Sequence, residues 1–230
     1  GVSRPGARMS DIYHSSPVVV SSPRADISDE WYNLFRRRPE VAQRPTVLYV
    51  GTNDGLLHAF AVEDHSVPLV ANLTAGEEIW GFVPPALLER LQYAAASHQI
   101  MVDATPVVRD VFYHRLPGDI PSADSYHTVL VSGLRAGGNH YFALDVTDPF
   151  NPLFLWQFTR PEMGESYGRP GIGQVLVNID GTLEERAVAI IPGGRGQISL
   201  APRVGGLPGC AIAAGGTPQL LPDGFTARTR

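Results

Sequence analysis

Apolar positions along this chain fall in short runs that end at glycine, proline, asparagine or aspartate. TVLYVGTNDGLLHAF (46–60) shows the pattern: two apolar stretches flank Asn53-Asp54-Gly55, residue types that tolerate the positive φ of a tight turn. HTVLVSGLRAGGNHYFALDV (127–146) repeats it, and ERAVAIIPGGRGQ (185–197) does so more weakly. The spacing predicts strands near 46–50, 56–61, 128–133 and 140–146.

Each hairpin follows a proline-containing strand: HSSPVVV (14–20), DATPVVRDVFY (103–113) and YGRPGIGQVLV (167–177). Two are closed by a strand around a tryptophan, GEEIWGFVP (76–84) and NPLFLWQFT (151–159). Units of four strands in series, with glycine turns and a tryptophan on the last strand, predict an all-β fold, a β-propeller of about three blades with short helical insertions. The alternative is an irregular β-sandwich. One blade runs over 14–84 with an insertion at 21–45, a second over 100–159, and a third over 167–197 and onward. Three blades do not close a ring, so the chain is expected to be part of something larger.

Helical spacing occurs in two places. In the insertion, Ser28 is placed to cap a short helix carrying Trp31, Leu34 and Phe35 on one side, before Pro39 stops it. Between the blades, 84–98 opens on two prolines and continues with Leu87, Leu88, Leu91 and Ala95, which predicts the best helix of the chain. Residues 198–230 read as a Pro/Gly-rich loop. The stripe of 84–98 either packs on the propeller flank or docks a partner. Trp31, Phe35, Leu87 and Leu91 are the candidate docking positions.

Composition narrows the classes. Of the 230 residues 18% are charged, for a net charge of −5, and all 18 basic residues are arginine. Without a basic stripe beyond Arg36-Arg37-Arg38, a nucleic-acid partner is not expected. The absence of lysine excludes Schiff-base and general-base lysine chemistry. The lone Cys210 forms no internal disulfide. No G-x-S-x-G elbow occurs, and the seven histidines fall in no metal-binding spacing. His14, Ser15, Ser16, Asp54 and His58 could be drawn as a triad, but adjacency in sequence does not supply its geometry. Ser15 and Ser16 are expected on a strand edge, and His58 facing a neighbouring blade. Asn178–Glu185 has too few alternating carboxylates for a calcium loop and reads as a turn. No catalytic, metal or cofactor-binding residues are assigned.

YVGTNDGLLHAF followed by GEEIW resembles the repeat of quinoprotein-like propellers. DIYHSSPVVV, IWGFVPPALLERL, VDATPVVRDV and above all SGLRAGGNHYFALDVTDPFNP resemble, in this order, the C-terminal propeller of the PilY/PilC type IV pilus tip proteins. The resemblance runs from about Asp11 to about Gly194. It implies an exported protein at the cell surface of a Gram-negative bacterium, at a pilus tip or the outer membrane. Its expected roles are pilus assembly with minor pilins and the pilus tip complex, adhesion to host or abiotic surfaces, and pilus-dependent motility. Calcium belongs to several members of that family and is not expected in this chain. Two other classes compete. A quinone-dependent dehydrogenase of the same fold would want adjacent cysteines, or lysine on the quinone, and neither exists here. A non-enzymatic scaffold propeller of an envelope assembly complex would lack the long insertions and the ALDVTDP string.

Overall fold

The computed structural model describes residues 9–67, 71–94, 96–114, 120–179, 181–194, 219–220 and 226–229. β1 (Val18–Val20) starts directly after Pro17, whose missing N–H would interrupt a ladder. The chain then forms two short helices, α1 (Glu30–Phe35) and α2 (Pro39–Ala42), and returns as β2 (Val47–Gly51). The turn into β3 (Leu57–Ala61) places Gly55 at φ 90°, a conformation that side chains disfavour. A small hairpin of β4 (His65–Val67) and β5 (Ala71–Leu73) precedes β6 (Glu78–Phe82).

After α3 (Leu91–Ala94) come β7 (Val107–Phe112), β8 (Tyr126–Gly133), β9 (Tyr141–Asp145) and β10 (Leu153–Phe158). The result is two antiparallel four-stranded meanders, β1-β2-β3-β6 and β7-β8-β9-β10. Their hairpins lie where the apolar runs predict strands.

The third sheet differs from the expected blade. β11 (Gly171–Ile179) and β12 (Thr182–Ile191) form a long antiparallel hairpin. The next neighbour of β12 is β14 (Thr226–Thr229), which runs parallel to it, with β13 (Gln219–Leu220) on the outside. Both strands lie in the stretch read as a loop; the rest of 195–230 is outside the described residues, as is Asp180 of the turn at 178–185.

The second meander forms the middle layer, and its alternation decides the packing. Val129, Val131, Tyr141 and Ala143 join Ile172, Ala187, Ala189 and Ile191 of the third sheet in one core. Leu130, Phe142 and Leu144 point the other way, onto Val47, Tyr49, Leu57 and Ala59 of the first sheet. β8 is therefore buried at every position, the pattern of a strand covered on both faces.

The two tryptophans occupy matching places. Trp80 on β6 pairs with Ala59 and Trp156 on β10 with Ala143, each beside a register shift. Their burial is unequal: Trp156 is buried, whereas Trp80 is half-buried and donates its indole N–H to Pro149 O at 2.8 Å.

Two helix expectations are corrected. Asp29, not Ser28, caps α1, accepting from Trp31 N at 2.8 Å. Residues 84–98 are not one helix: Pro85–Leu87 is a single 3-10 turn and, among the described residues, only Leu91–Ala94 is α-helical. Most backbone bonds along 84–96 close over three residues rather than four. Tertiary contacts override helix propensity here, because Arg90 donates to Gly137 O and Ile100 O while Ala86 N donates to Gln157.

Candidate functional site

The insertion at 21–45 is fastened to the second meander by its inner face. Tyr32 and Phe35 are fully buried and form an aromatic cluster with Phe112 and Tyr126 at the ends of β7 and β8. Tyr32 donates its hydroxyl to Asp110 at 2.8 Å, and Tyr126 donates to Asp29 at 2.6 Å. Burial and the Asp110 carboxylate push the Tyr32 phenol well above its ordinary range. Arg44, itself buried, crosses the seam: Nε and Nη2 reach Ser21 O, and Nη1 reaches Thr128 Oγ1 at 2.8 Å.

This anchoring sorts the docking candidates. Trp31 stays 40% exposed, and Leu34 beside it is also exposed. Phe35 and Leu87 are buried in the chain's own cores and offer no surface to a partner. Residues three apart on an α-helix share a face, so Tyr32 and Phe35 face in together while Trp31 and Leu34 face out. Leu91 is half-buried against the core between the first sheet and the second meander. The exposed large apolar side chains of that segment are Leu88, which belongs to the stripe of helical spacing, and Tyr93, which does not.

Where the insertion meets the second meander, a cleft of about 350 Å³ opens between Arg38, the 3-10 turn at Ala123–Ser125, the start of β8 and the β9–β10 turn. Sequence reasoning missed it because its walls come from segments far apart in the chain. The one local signal was the acidic string DVTDPFNP at 145–152, quoted only for its family resemblance. On its floor, His127 Nδ1 lies 2.8 Å from Asp145 Oδ2, and the imidazole stacks on Tyr113. Asp145 Oδ1 accepts from Thr147 N and from its hydroxyl. Burial would raise the Asp145 pKa, but the contact with His127 and the hydrogen bonds from Thr147 outweigh it and hold the carboxyl well below the usual range. At the rim, Asp148 accepts from Phe150 N and Asn151 Nδ2, both at 2.9 Å.

A second polar cluster holds residues 10–16 across the first two meanders. Asp11 accepts from Asn53 Nδ2 at 2.7 Å, and buried Asp103 takes the backbone N–H of His14 at 2.9 Å. Gly51 N donates to Ser15 Oγ, and Ser16 N to Thr105 Oγ1, each at 2.9 Å. Ser15 is thus buried rather than on an open strand edge. His58 turns within its own sheet instead of facing a neighbouring one, with Nδ1 2.5 Å from Glu78 and Nε2 3.1 Å from Thr52 Oγ1. Burial lowers its pKa, yet acceptance by Asp54 and Glu78 outweighs this and leaves it raised. Thr52 and His58 are almost fully buried, and Thr52 donates its hydroxyl to Asp54. A nucleophile needs an accessible oxygen with its proton directed at the base, and Thr52 meets neither condition. Among the described residues, no three His, Cys, Asp or Glu side chains are placed to hold a metal ion, and no helix is long and apolar enough to cross a membrane.

The PilY1 beta-propeller domain family matches residues 10–196. A type IV pilus biogenesis factor PilY1 from Pseudomonas aeruginosa UCBPP-PA14 is 35% identical over 187 residues, covering 74% of this chain and 14% of the relative. A PilY1 homolog from Xylella fastidiosa Temecula1 is 33% identical, covering 76% of this chain and 13% of the relative. The crystal structure of the Pseudomonas aeruginosa PilY1 C-terminal domain aligns with a TM-score of 0.49 at 24% identity, over 90% of this chain and 41% of that one. The chain therefore spans about a seventh of the length of these curated relatives. The matched residues take in both meanders, the clamped segment and the whole cleft, and on that match the chain belongs to the PilY1 beta-propeller domain family.

Proposed function

We propose that this chain is a non-catalytic platform of a type IV pilus biogenesis factor. It acts outside the cell, at the pilus tip, and supports pilus assembly by contacting minor pilins. Adhesion and pilus-dependent motility depend on that assembly. The observation that carries the reading is the insertion: Tyr32, Phe35 and Arg44 fix it to a doubly packed sheet, and it presents Trp31 and Leu34 outward. A rigid scaffold that holds a fixed apolar step suits partner binding. The names of the relatives support the pilus context.

The test separates docking from folding. Trp31→Asp combined with Leu34→Asp alters only exposed positions, so the variant is expected to fold as the parent does. In cells that depend on the parent polypeptide, it should reduce surface pili and co-purification with minor pilins. Wild-type piliation in the folded double variant would overturn the docking role of the insertion.

A further inference from the structure

Of the three consecutive arginines in the insertion, one is paired and two are not. Arg38 meets Glu40 at 2.9 Å and Asp124 at 2.6 Å. Arg36 and Arg37 are exposed, and neither side chain makes a hydrogen bond or ion pair among the described residues. The backbone decides where these free guanidinium groups stand. α1 runs out in a tight turn, with Arg37 N bonded to Leu34 O at 3.2 Å and Arg38 N to Phe35 O at 3.1 Å. Bonds that close over three residues set side chains i and i+3 in line. Two rows result. Tyr32, Phe35 and Arg38 form the inner one, whose last member lines the cleft. Trp31, Leu34 and Arg37 form the outer one, with Arg36 exposed beside it at the C-cap.

The apolar step therefore runs directly into two unpaired positive charges, and no carboxylate of α1 offsets them. Asp29 uses both oxygens, accepting from Trp31 N and from the Tyr126 hydroxyl. Glu30 is exposed and free, but it stands seven residues before Arg37. That is about 10 Å along a helix axis, too far to pair and about one screening length in dilute salt. The outer face of the insertion thus has a polarity: acidic at its start, apolar in the middle, basic at its end.

We propose that this row receives an amphipathic segment of a minor pilin, with an apolar residue against Trp31 and Leu34 and a carboxylate against Arg36 and Arg37. That the partner is a pilin rests on the pilus reading above; its chemistry rests on the row itself. A basic segment would meet two guanidinium groups, and a purely apolar one would take water from them and return no partner. An anionic lipid surface would cover the whole helix and press its headgroups on Glu30 as well. A carboxylate at one end of a polypeptide segment meets the arginines alone, and the planar guanidinium fork accepts it with two parallel N–H bonds.

The test immobilises the full parent polypeptide and measures capture of purified minor pilins from the same organism, at about 0.05 M and about 0.5 M salt. Arg36→Gln combined with Arg37→Gln alters exposed positions only, and an unchanged thermal midpoint checks that it folds. This variant should weaken capture at low salt at least about fivefold and lose most of the salt dependence. Arg36→Glu with Arg37→Glu should weaken capture further, and Glu30→Gln should not weaken it. Wild-type capture and salt dependence in the glutamine variant, or full capture by the glutamate variant, would overturn the proposal. So would binding to phosphatidylglycerol vesicles that the glutamine variant loses while its pilin capture stays whole. Capture lost in Trp31→Asp with Leu34→Asp, but kept in both arginine variants, would leave the docking role of the insertion standing and remove the acidic partner. No capture of any minor pilin by the wild type would overturn the pilin reading and the proposal with it.

Discussion

Asp103 and His14, 89 residues apart in sequence, make a two-point contact in which Asp103 Oδ1 meets the His14 amide and Oδ2 meets its Nδ1 at 2.8 Å. The carboxylate is buried and also receives Arg135 Nη1 at 3.3 Å. A short segment without strand partners of its own is thereby tied to the loop that leads into β7.

The first prediction concerns that tie. Asp103→Ala removes both acceptors at once and should free residues 10–16 while β2 and β3 stay intact. Amide exchange at His14 and Ser16 should accelerate toward the unprotected rate, with Tyr49 and Ala59 unchanged. Unaltered protection at His14 would show that the other contacts suffice to hold the segment.

Inside and outside on α1 can be told apart by truncation. Phe35→Ala opens a cavity in the aromatic cluster and should cost about 3–5 kcal/mol in urea unfolding. Trp31→Ala, on the exposed face, should stay within about 0.5 kcal/mol. Similar losses in the two variants would contradict the observed orientation of the helix.

Glycine spacing makes a sharper contrast. A Cβ on Gly137 would lie 1.7 Å from Met101 O, a backbone atom that cannot swing aside, whereas at Gly173 nothing lies within 4 Å. Gly137→Ala should therefore destabilise by roughly 3 kcal/mol or more, as overpacking does. Gly173→Ala should be neutral or stabilising by up to about 1 kcal/mol, since the strand loses its entropic penalty. Thermal unfolding of the two variants side by side checks both.

The raised pKa of His58 sets a direction with pH. Folding favours the protonated ring, so the stability it contributes is complete below its ordinary value of 6.5 and fades as pH rises through the higher folded value. Compared with His58→Gln, the wild type should lose its advantage in unfolding midpoint as pH is raised from below 6.5 to well above it. A constant difference across that window would show that His58 stays in one protonation state.

The hairpins and their order were legible in the sequence because turn chemistry and alternation are local. Asn53-Asp54-Gly55 and the apolar pairs around it determine their strands without outside help. Burial was less legible. Phe35 and Leu34 are both apolar neighbours on one short helix, and only the aromatic ends of β7 and β8 decide which of them turns inward. The segment at 84–98 has helical spacing, yet Arg90 bonding to Gly137 and Ile100 breaks it up. The cleft could not be read at all, since Arg38, Asp124, His127 and Asp148 become neighbours only after the insertion settles on the second meander.

The clamped segment also fixes how the molecule would answer mechanical tension. A pull entering at Ser10 along the segment meets the contacts of Asp11, His14, Ser15 and Ser16 together, ahead of the β1–β2 ladder. Loaded in shear, those bonds share the force and must fail as a group. A pull that lifts the same segment away from the sheets takes them one after another, like a zip. Resistance to rupture therefore depends on the direction of the load, and under force it is the unfolding rate along that direction, rather than the equilibrium stability, that decides how long the tie lasts.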